Sequence, residues 1–237
     1  MSKIDNSAPD SIIISPLYPD TVYFSAQADI RKQTIVKGEP EGFNNKTIHL
    51  HELYFQRFAE KQGTFRVIHC RGTGLETVSG AGGEHSEIKH IDEKFKFDEL
   101  GIFEGEPADP VDLVPLYPGR AVAQGEHWKP EVKIKIPLGT GLAKYDFVID
   151  SIHQDEERSV LAKITFDFNA ELIPSETFVG GKVTAIGAGW LLWDCTINQR
   201  RETHISATYH ALNANYEVTQ LIHLDDRLWV NSGARQF

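Results

Sequence analysis

The chain has one methionine, two cysteines, only 24 basic side chains against 34 acidic ones, and no apolar run long enough to span a bilayer. Each scarcity excludes something. A spanning helix needs about 18 or more consecutive apolar residues, so no transmembrane segment is expected. A formal net charge of −10 leaves no clustered Lys/Arg footprint for a polyanion, so no nucleic-acid partner is expected. Cys70 and Cys195 stand far apart, outside any Cys-x-x-Cys or Cys/His spacing, which predicts two thiols rather than a zinc site. The first ten residues, Met1 to Asp10, are polar and acidic and lack the apolar core and small-residue cleavage site of a secretory signal, giving a cytoplasmic expectation.

Standard catalytic and cofactor signatures are missing too. There is no Gly-x-Ser-x-Gly elbow, no His-Glu-x-x-His pair and no cysteine-nucleophile phrase. Lys182 to Gly189 superficially resembles a strand entering a dinucleotide turn, but Leu192 stands where a small residue should pack, and another strand-like run follows. Gly180-Gly181-Lys182 is followed by Val183 instead of a hydroxyl residue, so it is no phosphate loop. No cofactor is expected.

What the chain does have is alternation with period two, the pattern of strands with one buried face. Val160, Ala162, Ile164, Phe166 and Phe168 fall in one phase, with Lys163, Thr165, Asp167 and Asn169 in the other. Tyr145, Phe147 and Ile149 repeat the pattern before the polar link from His153 to Arg158, predicting a hairpin. Similar runs predict strands near 21–36, 46–58, 64–71, 86–95, 132–136, 177–186, 190–197, 201–211 and 215–224, with no long helix. The fold class is therefore all-β, a large antiparallel curved sheet or barrel. An acidic, proline-punctuated connector at 98–118 divides it into strand-rich halves, 1–97 and 119–237, which form two units or one continuous domain. Each half carries a glycine-rich interruption, at 72–83 and 180–189, the kind of likeness an internal duplication leaves.

Three groups of side chains carry candidate chemistry. His49 and His51 share a strand face that His69 joins if the neighbouring strand is in register, but nothing in the sequence fixes that register, and no metal site is assigned. Glu202, His204, Ser206, Thr208 and His210 share one face, opposite Ile205, Ala207 and Tyr209. If that face lines a cavity, an acid/base pair drawn from His204, His210, Asp194 or Glu202 is available near neutral pH; if it faces water, as is usual for an antiparallel sheet, it is a polar exterior. Trp190, Trp193, Tyr209, Tyr216 and Trp229 supply aromatic surface for either a ligand cavity or a core.

The segment Leu116-Tyr117-Pro118-Gly119-Arg120-Ala121-Val122-Ala123-Gln124-Gly125-Glu126-His127-Trp128, followed by strands and Gly187-Ala188-Gly189, resembles uncharacterised bacterial β-rich proteins, many of them lipoproteins. In these a proline-led phrase ending in Gly-x-x-Trp opens the second half. The resemblance covers about residues 115–225 and implies an antiparallel sheet curved like those of periplasmic lipid carriers. It implies no activity and no catalytic residues. The chain departs from the family in having neither signal nor lipobox cysteine.

The leading functional expectation is binding of a small apolar molecule, lipid- or isoprenoid-like, in a β-lined cavity. The alternative is a cofactor-independent cyclase or isomerase using acid/base side chains in that cavity. A third is an interaction module that uses sheet edges, and an oligomer is compatible with each.

Overall fold

The computed structural model describes residues 9–14, 21–38, 45–63, 65–98, 101–102, 116–156, 158–178 and 180–230. The alternating runs become thirteen strands: β1 (Ser11–Ile13), β2 (Thr21–Val36), β3 (Lys46–Gln62), β4 (Phe65–Gly80), β5 (Gly83–Phe97), β6 (Ala121–Ala123), β7 (His127–Trp128), β8 (Glu131–Ile136), β9 (Gly139–Gln154), β10 (Val160–Pro174), β11 (Lys182–Asp194), β12 (Gln199–Leu212) and β13 (Glu217–Val230). A single 3₁₀ turn, Glu176–Phe178, is the one helical piece among the described residues.

β2 to β5 form one antiparallel meander and β9 to β13 another. They join because β2 pairs with β13, giving one sheet of eleven strands in the order β5-β4-β3-β2-β13-β12-β11-β10-β9-β7, with β8 also on β9. β1 and β6 make a separate two-stranded sheet. The strand-rich halves thus share one hydrogen-bonded surface, while most of the proline-punctuated connector, 99–100 and 103–115, lies outside the described residues.

Alternation decides which face is dry. Along β10, Ala162, Ile164, Phe166, Phe168, Ala170 and Leu172 are buried while Asp167, Asn169 and Glu171 are exposed. The matching phases of β9, β11 and β12 complete this core face, on which Tyr145, Phe147, Phe166 and Phe168 pack with ring centroids 5.2–5.6 Å apart. The proline-led phrase covers it: Trp128 stacks on Phe147 at 5.0 Å and donates its indole N–H to the Leu116 carbonyl at 2.9 Å. Gly125, with φ +79°, makes the reversal between β6 and β7, where a side chain would strain the backbone. The phrase is a structural plug over the sheet.

Both glycine-rich stretches correct an expectation. The sequence predicts a turn or bulge at Gly187 to Gly189 separating two strands, yet β11 runs straight through, in register with β10 and β12. The glycines face Phe168 and Phe166: a Cβ on Gly187 would lie 2.3 Å from Phe168 Cε1, and one on Gly189 would lie 2.9 Å from Phe166 Cζ. Glycine here makes room for neighbouring rings rather than a bend. β4 likewise passes through Gly72 and Gly74 to Gly80.

Candidate functional site

Residues paired across strands share a face, so register assembles the candidate side chains. Glu202, His204, Ser206, Thr208 and His210 alternate along β12 with buried Thr203, Ile205, Ala207, Tyr209 and Ala211, which places them opposite the core. Their partners come from β13. His204 Nδ1 bonds Asp225, its Nε2 lies 4.0 Å from Glu202, His210 Nε2 lies 3.3 Å from Glu217, and Ser206 Oγ lies 2.9 Å from His223 Nδ1. The ammonium of Lys37, then His210, holds the Glu217 carboxyl below its usual range. Trp190 stacks on His204, ring centroids 4.0 Å apart, with Lys163 Nζ 5.5 Å from the indole centroid. Asp225 stands opposite Asp29, which is 2.5 Å from His49. The result is a polar band across β11, β12, β13, β2 and β3.

This band has imidazole–carboxylate pairs but not the arrangement of a nucleophilic hydrolase. Among the described residues no carboxylate orients His223, and Asp225 is engaged by His204 instead. His69 lies opposite Arg57, far along the strand from His49 and His51, and no group of three metal ligands forms among the described residues.

The other expected site residues are dispersed. Asp194 is fully buried where β11 turns into β12. Its carboxylate accepts from Arg201 Nε at 3.0 Å and Nη2 at 2.6 Å, and from the backbone N–H groups of Thr196 at 2.9 Å and Ile197 at 3.3 Å. That occupancy makes it a turn-former. Trp193 and Tyr209 are buried in the core, Trp193 edge-on to Tyr117 at 5.9 Å. Trp190 is half-buried on the opposite face, while Tyr216 and Trp229 are exposed. The five aromatics do not line one cavity: Trp190 and Trp193 stand three residues apart on β11, so strand alternation sends their indoles to opposite faces. The cysteines remain thiols. Burial, then the Asp194 charge, pushes Cys195 up to about 12, so it stays protonated and unreactive.

A recess that the sequence did not advertise lies on the core face of the β2–β5 meander. Leu50 and Glu52 of β3 share that face with Ala28 and Ala26 of β2. Cys70, Gly72, Gly74 and Glu76 supply it from β4, and Lys89, Ile91, Glu93 and Phe95 from β5. They border an open recess of about 390 Å³, with Leu50, Cys70, Ile91 and Phe95 on the apolar side and Glu52, Glu76, Lys89 and Glu93 on the polar side. Glu52 folds across the bare backbone of Gly74, where a Cβ would come within 2.9 Å of its Cγ. Lys89 Nζ is drawn to Glu76 at 2.6 Å, leaving Glu52 without a hydrogen bond or ion pair among the described residues. Burial first, then the charges of Asp226 and Glu93, raises the Glu52 carboxyl above its usual range. The usable sequence signal was a carboxyl in phase with Ile48 and Leu50 beside a strand carrying two glycines.

No family model matches the chain, and no curated protein matches it. Among solved structures, the crystal structure of the beta domain of the Bordetella autotransporter Brka is similar over 88% of this chain and 99% of that one, at 10% identity and a TM-score of 0.23, a likeness too low to carry an argument. No described helix is long and apolar enough to cross a membrane. The face opposite the core carries Lys163, Asp167, His204 and Asp225, whereas a strand facing lipid carries an apolar band on which a mid-bilayer Lys or Arg costs roughly 2–4 kcal/mol.

Proposed function

We propose that the protein binds a small, largely apolar molecule with one polar end, held in the recess between β3, β4 and β5. One observation carries this reading: the Glu52 carboxyl, in a recess of about 390 Å³ with an apolar wall, has no hydrogen-bond partner among the described residues. A ligand's hydrogen-bond donor or ammonium supplies the missing partner, while its body lies against Leu50, Ile91 and Phe95. The volume falls within the usual range for small-molecule sites, roughly 300–1,000 Å³. The acidic set around Glu52 favours a cationic or donor headgroup over a carboxylate.

Native mass spectrometry of the freshly purified chain, with extraction of anything bound, supplies the first test. Titration with dodecylamine and with dodecanoate supplies the second. The amine is expected to bind more tightly, and Glu52→Gln to weaken it by about tenfold, the usual scale for a hydrogen bond to a charged group. The absence of a passenger together with no saturable binding of either amphiphile removes the reading. A proton-transfer role for Glu52 is a second reading, favoured by its raised pKa. It requires turnover of the bound molecule that Glu52→Gln abolishes.

A further inference from the structure

On the face opposite the core, the sheet register lines up four residues from four adjacent strands: Ala188 of β11 opposite Ser206 of β12, Ser206 opposite His223 of β13, and His223 opposite Arg31 of β2. Strands lie about 4.8 Å apart, so hydroxyl, imidazole and guanidinium form a row of polar groups roughly 10 Å long. The small side chain of Ala188 opens space at one end. The Trp190–His204 stack stands beside it, and the groove measures about 430 Å³.

Arg31 makes no ion pair among the described residues, although two carboxylates stand beside it. Asp29, two residues away on the same strand face, is taken by His49, and Asp225, next to His223 on that face of β13, is taken by His204. Each carboxylate that could neutralise the guanidinium is thus held by an imidazole on its far side. Arg31 is left exposed beside the hydrogen-bonded Ser206–His223 pair, whose imidazole Nε2 makes no further bond among the described residues. A planar guanidinium flanked by hydroxyl and imidazole groups matches the acceptor geometry of an oxyanion.

We infer that this groove is a second site, independent of the Glu52 recess, that binds the oxyanion group of a small organic molecule, with Arg31 supplying the charge and the hydrogen-bonded Ser206–His223 pair one outward-facing donor beside it. The test is a nuclear magnetic resonance titration of the full chain with inorganic phosphate, sulfate and benzoate, following the ring signals of His204, His223 and Trp190. Saturable shifts are expected with at least one anion. Phosphate or sulfate alone identifies a tetrahedral group, and benzoate alone a carboxylate. Arg31→Gln should weaken the responding anion by tenfold or more, and Arg31→Lys by less, because charge without the fork retains part of the interaction. Arg31 is exposed, so unchanged backbone signals away from the groove confirm that the variants fold. No saturable shift with any of the three anions, or equal binding by Arg31→Gln, overturns the assignment.

Discussion

Replacing Gly189 with alanine tests whether β11 is one strand whose glycines admit its neighbours, or two strands divided by a turn. The added methyl carbon would lie 2.1 Å from the His204 carbonyl oxygen and 2.9 Å from Phe166 Cζ, where ordinary contact begins near 3.4 Å. The ring has some freedom to tilt. The carbonyl has little, because His204 sits in the ladder between β11 and β13. Overpacking of this kind costs about 1–3 kcal/mol, and with a backbone atom as the obstacle the upper half of that range is expected. For a chain of this size each kcal/mol moves Tm by roughly 2–4 °C, so a fall of about 4–12 °C should appear in thermal unfolding followed by circular dichroism. Gly82→Ala is the control: nothing lies within 4 Å of its added carbon and its φ is not left-handed, so a change within about 0.5 kcal/mol is expected. If the two variants melt together, the close approach of β11 to β12 and to Phe166 is refuted.

Three further outcomes follow from the packing and electrostatics. Because burial raises the Glu52 pKa, the folded state holds that proton more tightly than the unfolded chain, and the group's contribution to stability is lost as pH rises through the raised value. Glu52→Gln should therefore leave stability at neutral pH unchanged or higher while weakening the ligand; urea titrations at mildly acidic and neutral pH show whether the wild-type disadvantage shrinks on acidification. Trp193→Ala should cost roughly 3–5 kcal/mol, against about 1 kcal/mol for Trp190→Ala, since only the first indole is buried; equal losses in denaturant melts would contradict this division. Asp194→Ala strands the Arg201 guanidinium and two backbone N–H groups, so a loss of about 3–5 kcal/mol is expected, and a near-neutral variant would remove the turn-forming role.

Much of the sheet was legible because its signal is local. Ala162 to Leu172 announce their buried face by alternation alone, and Glu202 to His210 announce a polar one. Glycine misled, since Gly187 and Gly189 carry the composition of a turn and their actual role depends on Phe166 and Phe168 one strand away. The partners of the β12 polar face could not be read either: Asp225, Glu217 and His223 reach His204, His210 and Ser206 through register, which is fixed across strands. Glu52 escaped notice because a single acidic residue in an apolar phase acquires meaning only when Gly74 lies beneath it and Lys89 is drawn aside to Glu76.

The pairing of β2 with β13 sets the order of events at synthesis. Lys37 and Glu217, which meet at 3.1 Å across that seam, are 180 residues apart, and closing a flexible loop of that length costs about 4–5 kcal/mol in chain entropy before any contact repays it. While the chain is being made, β2 to β5 emerge first, with the flank of β2 open until β13 leaves the ribosome. During that interval the nascent chain offers an unpaired strand, a template for intermolecular pairing. Slow folding, with a pairing edge exposed during translation, is the expected consequence of placing the first long strand beside the last described one.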